Sequence, residues 1–232
     1  FVDLNMCGRI AFFKSKKKVI NELQIDKWDE YQYSSDYNIV PSNKLYVLTS
    51  KKSLRVIESM TWGIRPRRLE KKRLINVRIE TLQQKPSFRN LLNTNRCLII
   101  CNGYYEWKKE PFGSQPYYIF RKSKKLILMA GLWTTSNLNS GGSLNSCTII
   151  TKPTQHNISE IHHRMPLILH LSSIDKWLNS KGNLYFRAIS DLSYSDVDLK
   201  YHPVSKAINN PFNNNPDLLN PIDVKKTINL FT

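Results

Sequence analysis

The sequence contains no hydrophobic run that approaches the roughly 18 residues needed to cross a lipid bilayer. Its first residues also lack the basic region and apolar core of a secretory signal. These absences predict a soluble, intracellular protein without a membrane partner, in the cytoplasm or nucleoid, or in the nucleus if the host is a eukaryote.

Cysteine is scarce, and the four thiols form neither a CxxC pair nor a His/Cys cluster with zinc spacing: Cys7, Cys97, Cys101 and Cys147. A disulfide framework is not expected in an intracellular chain of this size. Internal repeats and linkers are also missing. The sequence therefore predicts one domain over residues 6–232, with residues 1–5 interpreted as a leader or an added remnant.

Acidic residues are few, since 18 Asp and Glu stand against 35 Lys and Arg, a net charge of +17. This excess suits a polyanionic partner, and nucleic acid is the commonest soluble one. A bias toward Lys, Asn and Ile from genomic base composition would produce the same excess, so charge alone leaves both interpretations open.

What the sequence does contain is a series of short apolar runs separated by turn residues. Many short strands with a few helices predict an α+β fold with a barrel-like, mainly antiparallel β core and a few peripheral helices. One helix is expected between about Lys14 and Gln32. The Asn102-Gly103 dipeptide between "CLIIC" and "YYEW" predicts a tight β-hairpin.

Strand alternation in "NVRIET" places Asn76, Arg78 and Glu80 on one face and two apolar residues on the other. Such a polar face is either the wall of a groove or an exposed surface of a sheet. Both interpretations stay open at this point.

In "GYYEWKK", Glu106 lies between Tyr105 and Trp107. If these rings desolvate it, its carboxyl is harder to ionise, as suits a general acid. The alternative is a surface glutamate opposite Lys108 or Lys109.

In "EIHHRMP", His162 or His163 is a candidate proton shuttle near neutral pH. A helix-end histidine bonded to the backbone is the alternative.

Cys7 follows Met6 close to the start of the chain. As an N-terminal residue it would carry an α-amine with a pKa of about 7.7–8.0 and a thiol near 8.5. The amine can condense with an aldehyde to an imine, and the thiol can close on the same carbon to give a thiazolidine. A packed internal thiol is the alternative.

Taken in order, these segments resemble the SOS-response-associated peptidase (SRAP) family, whose members shield abasic sites in single-stranded DNA. The matching segments are "MCGR", "YNIVPS", "WGIRP", "NVRIET", "RCLIICNGYYEWKK", "AGLW", "CTIIT" and "IHHRMPLIL". They cover nearly the whole chain after Asn5. At two positions this chain departs from the family pattern. Asn102 stands where the family more often has an acidic residue, and Arg65 where it more often has an apolar one.

The resemblance implies a thiazolidine crosslink between Cys7, freed of the preceding residues, and the ring-opened aldehyde of an abasic sugar. Asn76 is then expected to orient the amine or the sugar, while Glu106 and His162 move protons. This is a crosslinking activity of lyase-like or hydrolase-like type, with self-cleavage before Cys7 as a further expectation.

The resemblance also assigns DNA-binding residues. Arg9, Arg78 and Arg164 are expected to hold phosphates. Apart from the resemblance, Trp62 is either a core residue or a wedge or groove wall beside the bases, and the second is expected here. The implied partner is single-stranded DNA containing abasic sites, with the replication machinery as a further candidate, a monomeric chain and no metal or organic cofactor.

Two other functions compete with this one. The first is a cysteine peptidase that uses Cys7 and His162 without DNA. The second is a non-catalytic single-strand-binding module, whose binding would be salt-sensitive and indifferent to abasic sites.

Overall fold

The computed structural model of the chain describes residues 8–28, 33–65, 73–82, 84–111, 113–138, 140–154, 156–180 and 198–224. Cys7 and most of the basic loop after Trp62 lie outside these ranges. Within them, none of the helices combines the length and the apolar character needed to span a membrane.

Short strands dominate the described residues, as the short apolar runs predicted. In chain order they are β1 (Ile10–Phe12), β2 (Lys27–Trp28), β3 (Asp36–Ile39), β4 (Lys44–Lys51), β5 (Leu54–Trp62), β6 (Asn76–Arg78), β7 (Arg96–Cys101), β8 (Gly103–Glu110), β9 (Gly113–Arg121), β10 (Ile127–Asn137), β11 (Ser143–Pro153), β12 (Arg164–Pro166) and β13 (Leu199–Pro203). The α-helices that lie within the described ranges are α1 (Lys16–Leu23), α2 (Pro86–Thr94) and α3 (Ile174–Asn179).

Five of these strands close into a barrel. β4 pairs with β5 and β7, β7 pairs with β10, and β10 pairs with β11, all antiparallel. The ring closes where β11 meets β5 in parallel, with Cys147 opposite Trp62. Closure removes the unpaired edges of an open sheet. The predicted α+β fold with a barrel-like β core is therefore confirmed.

A second sheet of five strands lies beside the barrel in the order β13-β9-β8-β1-β3. Strand alternation directs Tyr104 of β8 into the main core and Tyr105 into a smaller cluster on the opposite face. Val204, Ile208 and Leu218, which follow β13, complete that smaller cluster. Among the described residues, both faces of this sheet are thus packed against apolar clusters.

The helix expected between Lys14 and Gln32 is shorter than predicted. α1 ends at Leu23, and the chain turns at Gln24, which is left-handed with φ 52°. Val19 and Leu23 are buried, in agreement with their i, i+4 spacing. Beyond the turn, β2 pairs with β5 and extends the sheet instead of the helix.

The predicted hairpin at Asn102-Gly103 is wrong, because β7 and β8 belong to different sheets. Neither residue has the positive φ that a type I′ turn requires. Instead, Asn102 Oδ1 accepts hydrogen bonds from the amides of Phe13 (2.8 Å) and Lys14 (3.0 Å). A Cβ on Gly103 would fall 2.5 Å from the Tyr118 ring. The dipeptide forms the corner where the chain crosses from the barrel to the second sheet.

Candidate active site

A cavity of about 490 Å³ opens where the second sheet meets the barrel. Its volume lies in the range of small-molecule sites. Residues from both sheets and from the C-terminal segment line it: Gly8, Arg9, Pro41, Ile75, Trp107, Lys109, Ser114, His162 and Asn209.

The backbone at Gly8 and Arg9 is held beside β8. Ile10 lies opposite Tyr104 in the β1–β8 ladder, and the Tyr105 amide continues it by donating to the Arg9 carbonyl at 3.0 Å. In this register the preceding residue, Gly8, comes opposite Glu106. Cys7 itself lies outside the described residues, but it is bonded directly to a residue that lines the cavity.

Glu106 is fully buried, with 0 % of its surface exposed. Strand alternation places it with Tyr104 on the barrel side of β8, whereas Tyr105 and Trp107 belong to the cluster on the other face. The expected desolvation is present, but the flanking rings do not cause it. The alternative of a surface glutamate is wrong. A carboxyl group shielded from bulk water can exchange protons selectively with a bound reactant.

Asn76 is the first residue of β6 and is half-buried. β6 pairs in parallel with β11, which places Asn76 opposite Ile149. The preceding residue, Ile75, lines the cavity. The predicted alternation is correct as far as Arg78, but residues Ile79–Thr81 form a 3-10 helix. Glu80 therefore does not belong to the strand face on which it was expected.

His162 lines the cavity just before β12, and its ring is held by backbone. Its Nδ1 lies 3.1 Å from the Arg164 amide nitrogen and 3.2 Å from the Arg164 carbonyl oxygen. An unprotonated Nδ1 can accept from that N–H, and a protonated Nδ1 can donate to that carbonyl. The ring can thus change its protonation state without losing its Nδ1 partner. His163 is exposed and stacks on His162 with ring centroids 4.4 Å apart.

Arg9 brings positive charge to the cavity. Its Nη1 donates to Asn38 Oδ1 at 2.8 Å and to the Ile208 carbonyl at 2.9 Å, and its guanidinium lies 5.9 Å from the centre of the Trp107 ring. Burial lowers the pKa of Arg9 from its usual high value. Arg9 and Lys109 line the cavity together, while Arg78 is exposed on nearby β6.

Two expected DNA contacts are corrected by the structure. Trp62 is 0 % exposed and its Nε1 donates to the Ile75 carbonyl at 3.1 Å, so it is a core residue where the barrel closes and not a wedge. Arg164 is 7 % exposed, and its guanidinium donates to both Glu80 oxygens (2.6 and 3.0 Å) and to the Thr151 carbonyl (2.7 Å). In this conformation it braces the polypeptide and is not presented to a phosphate.

The SRAP family profile, described as SOS response associated peptidase, matches residues 6–211. The chain belongs to the SRAP family. It is 34% identical to the abasic site processing protein YoqW of Bacillus subtilis (strain 168), over 92% of this chain and 99% of that protein. It is 27% identical to the abasic site processing protein YedK of Escherichia coli (strain K12), over 94% and 100% of the two chains.

A vertebrate relative and a solved structure extend the comparison. The abasic site processing protein HMCES of Gallus gallus is 32% identical over 84% of the SRAP chain and 68% of its own length. A crystal structure of a protein from Bacteroides thetaiotaomicron superposes with a TM-score of 0.79 at 23% identity, covering 94% of the SRAP chain and 100% of that chain. This structure shares the fold.

Sequence reasoning assigned no role to Asn38, which the structure places behind the SRAP cavity. Asn38 is 2 % exposed and donates to the carbonyls of Asn210 (3.0 Å) and Asn213 (2.7 Å) while accepting from Arg9. It therefore joins the Arg9 side chain to the C-terminal segment. Asn38 belongs to the "YNIVPS" motif, which is the feature of the sequence that could have pointed to it. Nothing in the Asn-rich tail indicated that Asn209 would line the cavity.

Within the described part of the chain, no three His, Cys, Asp or Glu side chains are grouped so that they could hold a metal ion.

Proposed function

We propose that this protein processes abasic sites in single-stranded DNA by forming a thiazolidine crosslink with Cys7. Three curated relatives carry names that describe abasic site processing. The observation that carries the proposal is the cavity that begins at Gly8, the residue after Cys7, and contains His162. Ile75, which precedes Asn76, also lines this cavity, and Glu106 comes opposite Gly8 in the β1–β8 register.

The crosslink requires a free α-amine on Cys7. Only an N-terminal cysteine offers an amine and a thiol to the same carbon, so residues 1–6 have to be removed first. Self-cleavage before Cys7 is one route to this end, and it would use the same cysteine with Glu106 and His162.

The reaction proceeds in two bond-forming steps. The Cys7 amine adds to the C1′ aldehyde of the opened sugar, and loss of one water gives an imine. The Cys7 thiol then adds to the imine carbon while the nitrogen takes up a proton, which closes the thiazolidine ring. One molecule of water is lost in total, and both steps need proton transfers near neutral pH.

Each polar residue of the site has a role that fits its surroundings. Asn76 orients the amine or the sugar by hydrogen bonds. Glu106 moves protons during loss of water and ring closure, because its burial keeps solvent from competing. His162 acts on the sugar hydroxyl, and its Nδ1 has a backbone partner in either protonation state.

Arg9, Arg78 and Lys109 supply the positive charge that holds the strand. Arg9 and Lys109 line the cavity, and Arg78 is exposed beside it. Cationic contacts to phosphates dominate the affinity of proteins for single strands, so these three side chains are assigned to the DNA backbone.

The decisive experiment mixes chain verified by mass to begin at Cys7 with single-stranded DNA that carries one abasic site. We expect an adduct that survives denaturing electrophoresis and whose mass equals protein plus DNA minus one water. Cys7→Ala and a tetrahydrofuran analogue of the abasic site, which has no aldehyde, should both give no adduct. Absence of an adduct from the verified chain would refute the proposal.

A matched pair of histidine variants tests the site itself. His162→Ala should slow crosslinking by about 10²-fold, the usual contribution of a proton-transfer group. His163→Ala should crosslink at the normal rate, because that exposed ring does not line the cavity. Equal loss in both variants would remove His162 from the mechanism. Cleavage before Cys7 as the sole activity, with no adduct, would favour the peptidase.

A further inference from the structure

A second cavity, of about 560 Å³, lies at the other end of β8, and none of the described residues that line it lines the first. Asn102 lines the second cavity and Lys109 lines the active-site cavity. At about 3.3 Å per residue along a strand, these two positions are about 23 Å apart. The second cavity therefore cannot hold the reacting sugar, and its residues are not used by the chemistry above.

The second cavity is strongly cationic. Lys14, Lys18, Arg121 and Lys124 line it, and no described carboxylate does. Lys14 contacts Glu22, but among the described residues the other three cations form no ion pair. The Arg121 Nε is buried and has no hydrogen-bond partner. A buried donor of this kind is costly unless a ligand or water accepts from it.

The start of α1 adds to the positive potential. Ser15 is its N-cap and lines the cavity, but its side chain makes no capping hydrogen bond. Lysines fill the first turn, which contains no acidic residue. Cations at a helix N-terminus are unfavourable, because the aligned peptide dipoles already place positive charge there. An anion at this position would be bound favourably by the backbone amides and the lysines together.

Aromatic rings form the remaining wall. The rings of Tyr118 and Phe120 are stacked with their centroids 5.4 Å apart, and the centroid of the His202 ring lies 5.4 Å from that of Phe120. The Lys124 ammonium lies 3.9 Å from the centre of the Phe120 ring. Cations beside ring faces suit a ligand that combines a phosphate with a flat base.

We propose that this cavity binds a phosphate-bearing nucleotide, as a unit of the DNA strand that extends away from the active site. The proposal rests on the proposed function only in taking nucleic acid as the ligand, since it requires no crosslink. A free mononucleotide would offer the same phosphate and base, and the experiment separates the two sources.

The test measures binding of undamaged oligothymidylates of increasing length by fluorescence anisotropy across a range of NaCl concentrations. Lys18→Ala is the main variant, because Lys18 is exposed and its loss should leave the fold intact. Arg121→Gln is the second. Lys17→Ala is the matched control, since Lys17 is also exposed on α1 and carries the same charge but does not line the cavity. Inorganic phosphate and dTMP are tested separately by their effect on thermal unfolding.

For long oligonucleotides we expect Lys18→Ala and Arg121→Gln each to weaken binding about threefold and to lower the salt slope by about 0.7, the loss of one phosphate contact. Lys17→Ala should keep the normal slope. If only dTMP binding is lost in the variants, the ligand is a free nucleotide.

Normal binding of both ligands by the two variants, or equal losses in all three, would overturn the proposal. Undamaged DNA contains no aldehyde, so this result is independent of whether the crosslink forms.

Discussion

The ion pair between Arg164 and Glu80 offers a quantitative test of what this arginine does. Arg164→Ala removes two hydrogen bonds to Glu80 and one to the buried Thr151 carbonyl. If Arg164 is a brace, its loss should destabilise the fold. If it is a surface phosphate ligand, its loss should affect DNA binding alone.

The two partners of Arg164, Glu80 and the Thr151 carbonyl, contribute unequally to the free energy of unfolding. The Glu80 side chain is 46% exposed and regains water when its partner is removed, so the ion pair itself adds little. The Thr151 carbonyl, by contrast, is left without its Arg164 donor, at a cost of about 1–3 kcal/mol. Lost packing of the buried aliphatic stem of Arg164 adds about 1 kcal/mol. We therefore expect Arg164→Ala to lower the free energy of unfolding by about 2–4 kcal/mol.

The test compares Arg164→Ala with Arg78→Ala, first in urea unfolding and then in DNA binding. Arg78 is exposed on β6, so its loss should change the free energy of unfolding by less than about 0.5 kcal/mol while lowering the salt slope of DNA binding by about 0.7. Arg164→Ala should lower the free energy of unfolding and leave the salt slope of DNA binding unchanged. Normal stability of Arg164→Ala together with a reduced salt slope would refute the bracing role.

The same pair predicts a dependence on pH. The hydrogen bond from Arg164 lowers the pKa of Glu80, against the opposing effect of burial. A depressed carboxyl pKa contributes stability that is complete above the ordinary value of about 4.3 and disappears as pH falls through the lowered pKa. The difference in stability between wild type and Glu80→Gln should thus be constant near neutrality and shrink below about pH 4.

Three further predictions concern the core. Trp62→Ala should lower the free energy of unfolding by about 3–5 kcal/mol in a urea titration, because the side chain is fully buried where the barrel closes, whereas an exposed wedge would cost little. Gly103→Ala should cost about 1–3 kcal/mol in the same assay, since its Cβ would overlap the buried Tyr118 ring, and unchanged stability would contradict the close contact. Burial raises the pKa of the Cys147 thiol to about 12 and also raises the pKa values of the Cys97 and Cys101 thiols. Iodoacetamide at pH 8 should therefore label none of these three cysteines in the native protein. Mass spectrometry after digestion would reveal any labelled cysteine.

The fold class was predictable because it depends on local patterns that are repeated along the chain. Short alternating and apolar runs indicated strands, and their number indicated a barrel-like β core. The hairpin at Asn102-Gly103 failed because the same dipeptide can serve as a sheet-to-sheet corner. The side-chain oxygen of Asn102 accepts hydrogen bonds from the backbone N–H groups of Phe13 and Lys14, which are distant in sequence.

The sequence by itself determined the family and the β-rich α+β fold. Ordered motifs carry this information, and each is read from neighbouring residues. Only the tertiary structure decided which polar and aromatic side chains face inward. Trp62 is buried in the main core where β5 pairs with β11, and Arg164 is paired with Glu80, 84 positions away. Burial and pairing of this kind depend on contacts between distant segments, which no local pattern encodes.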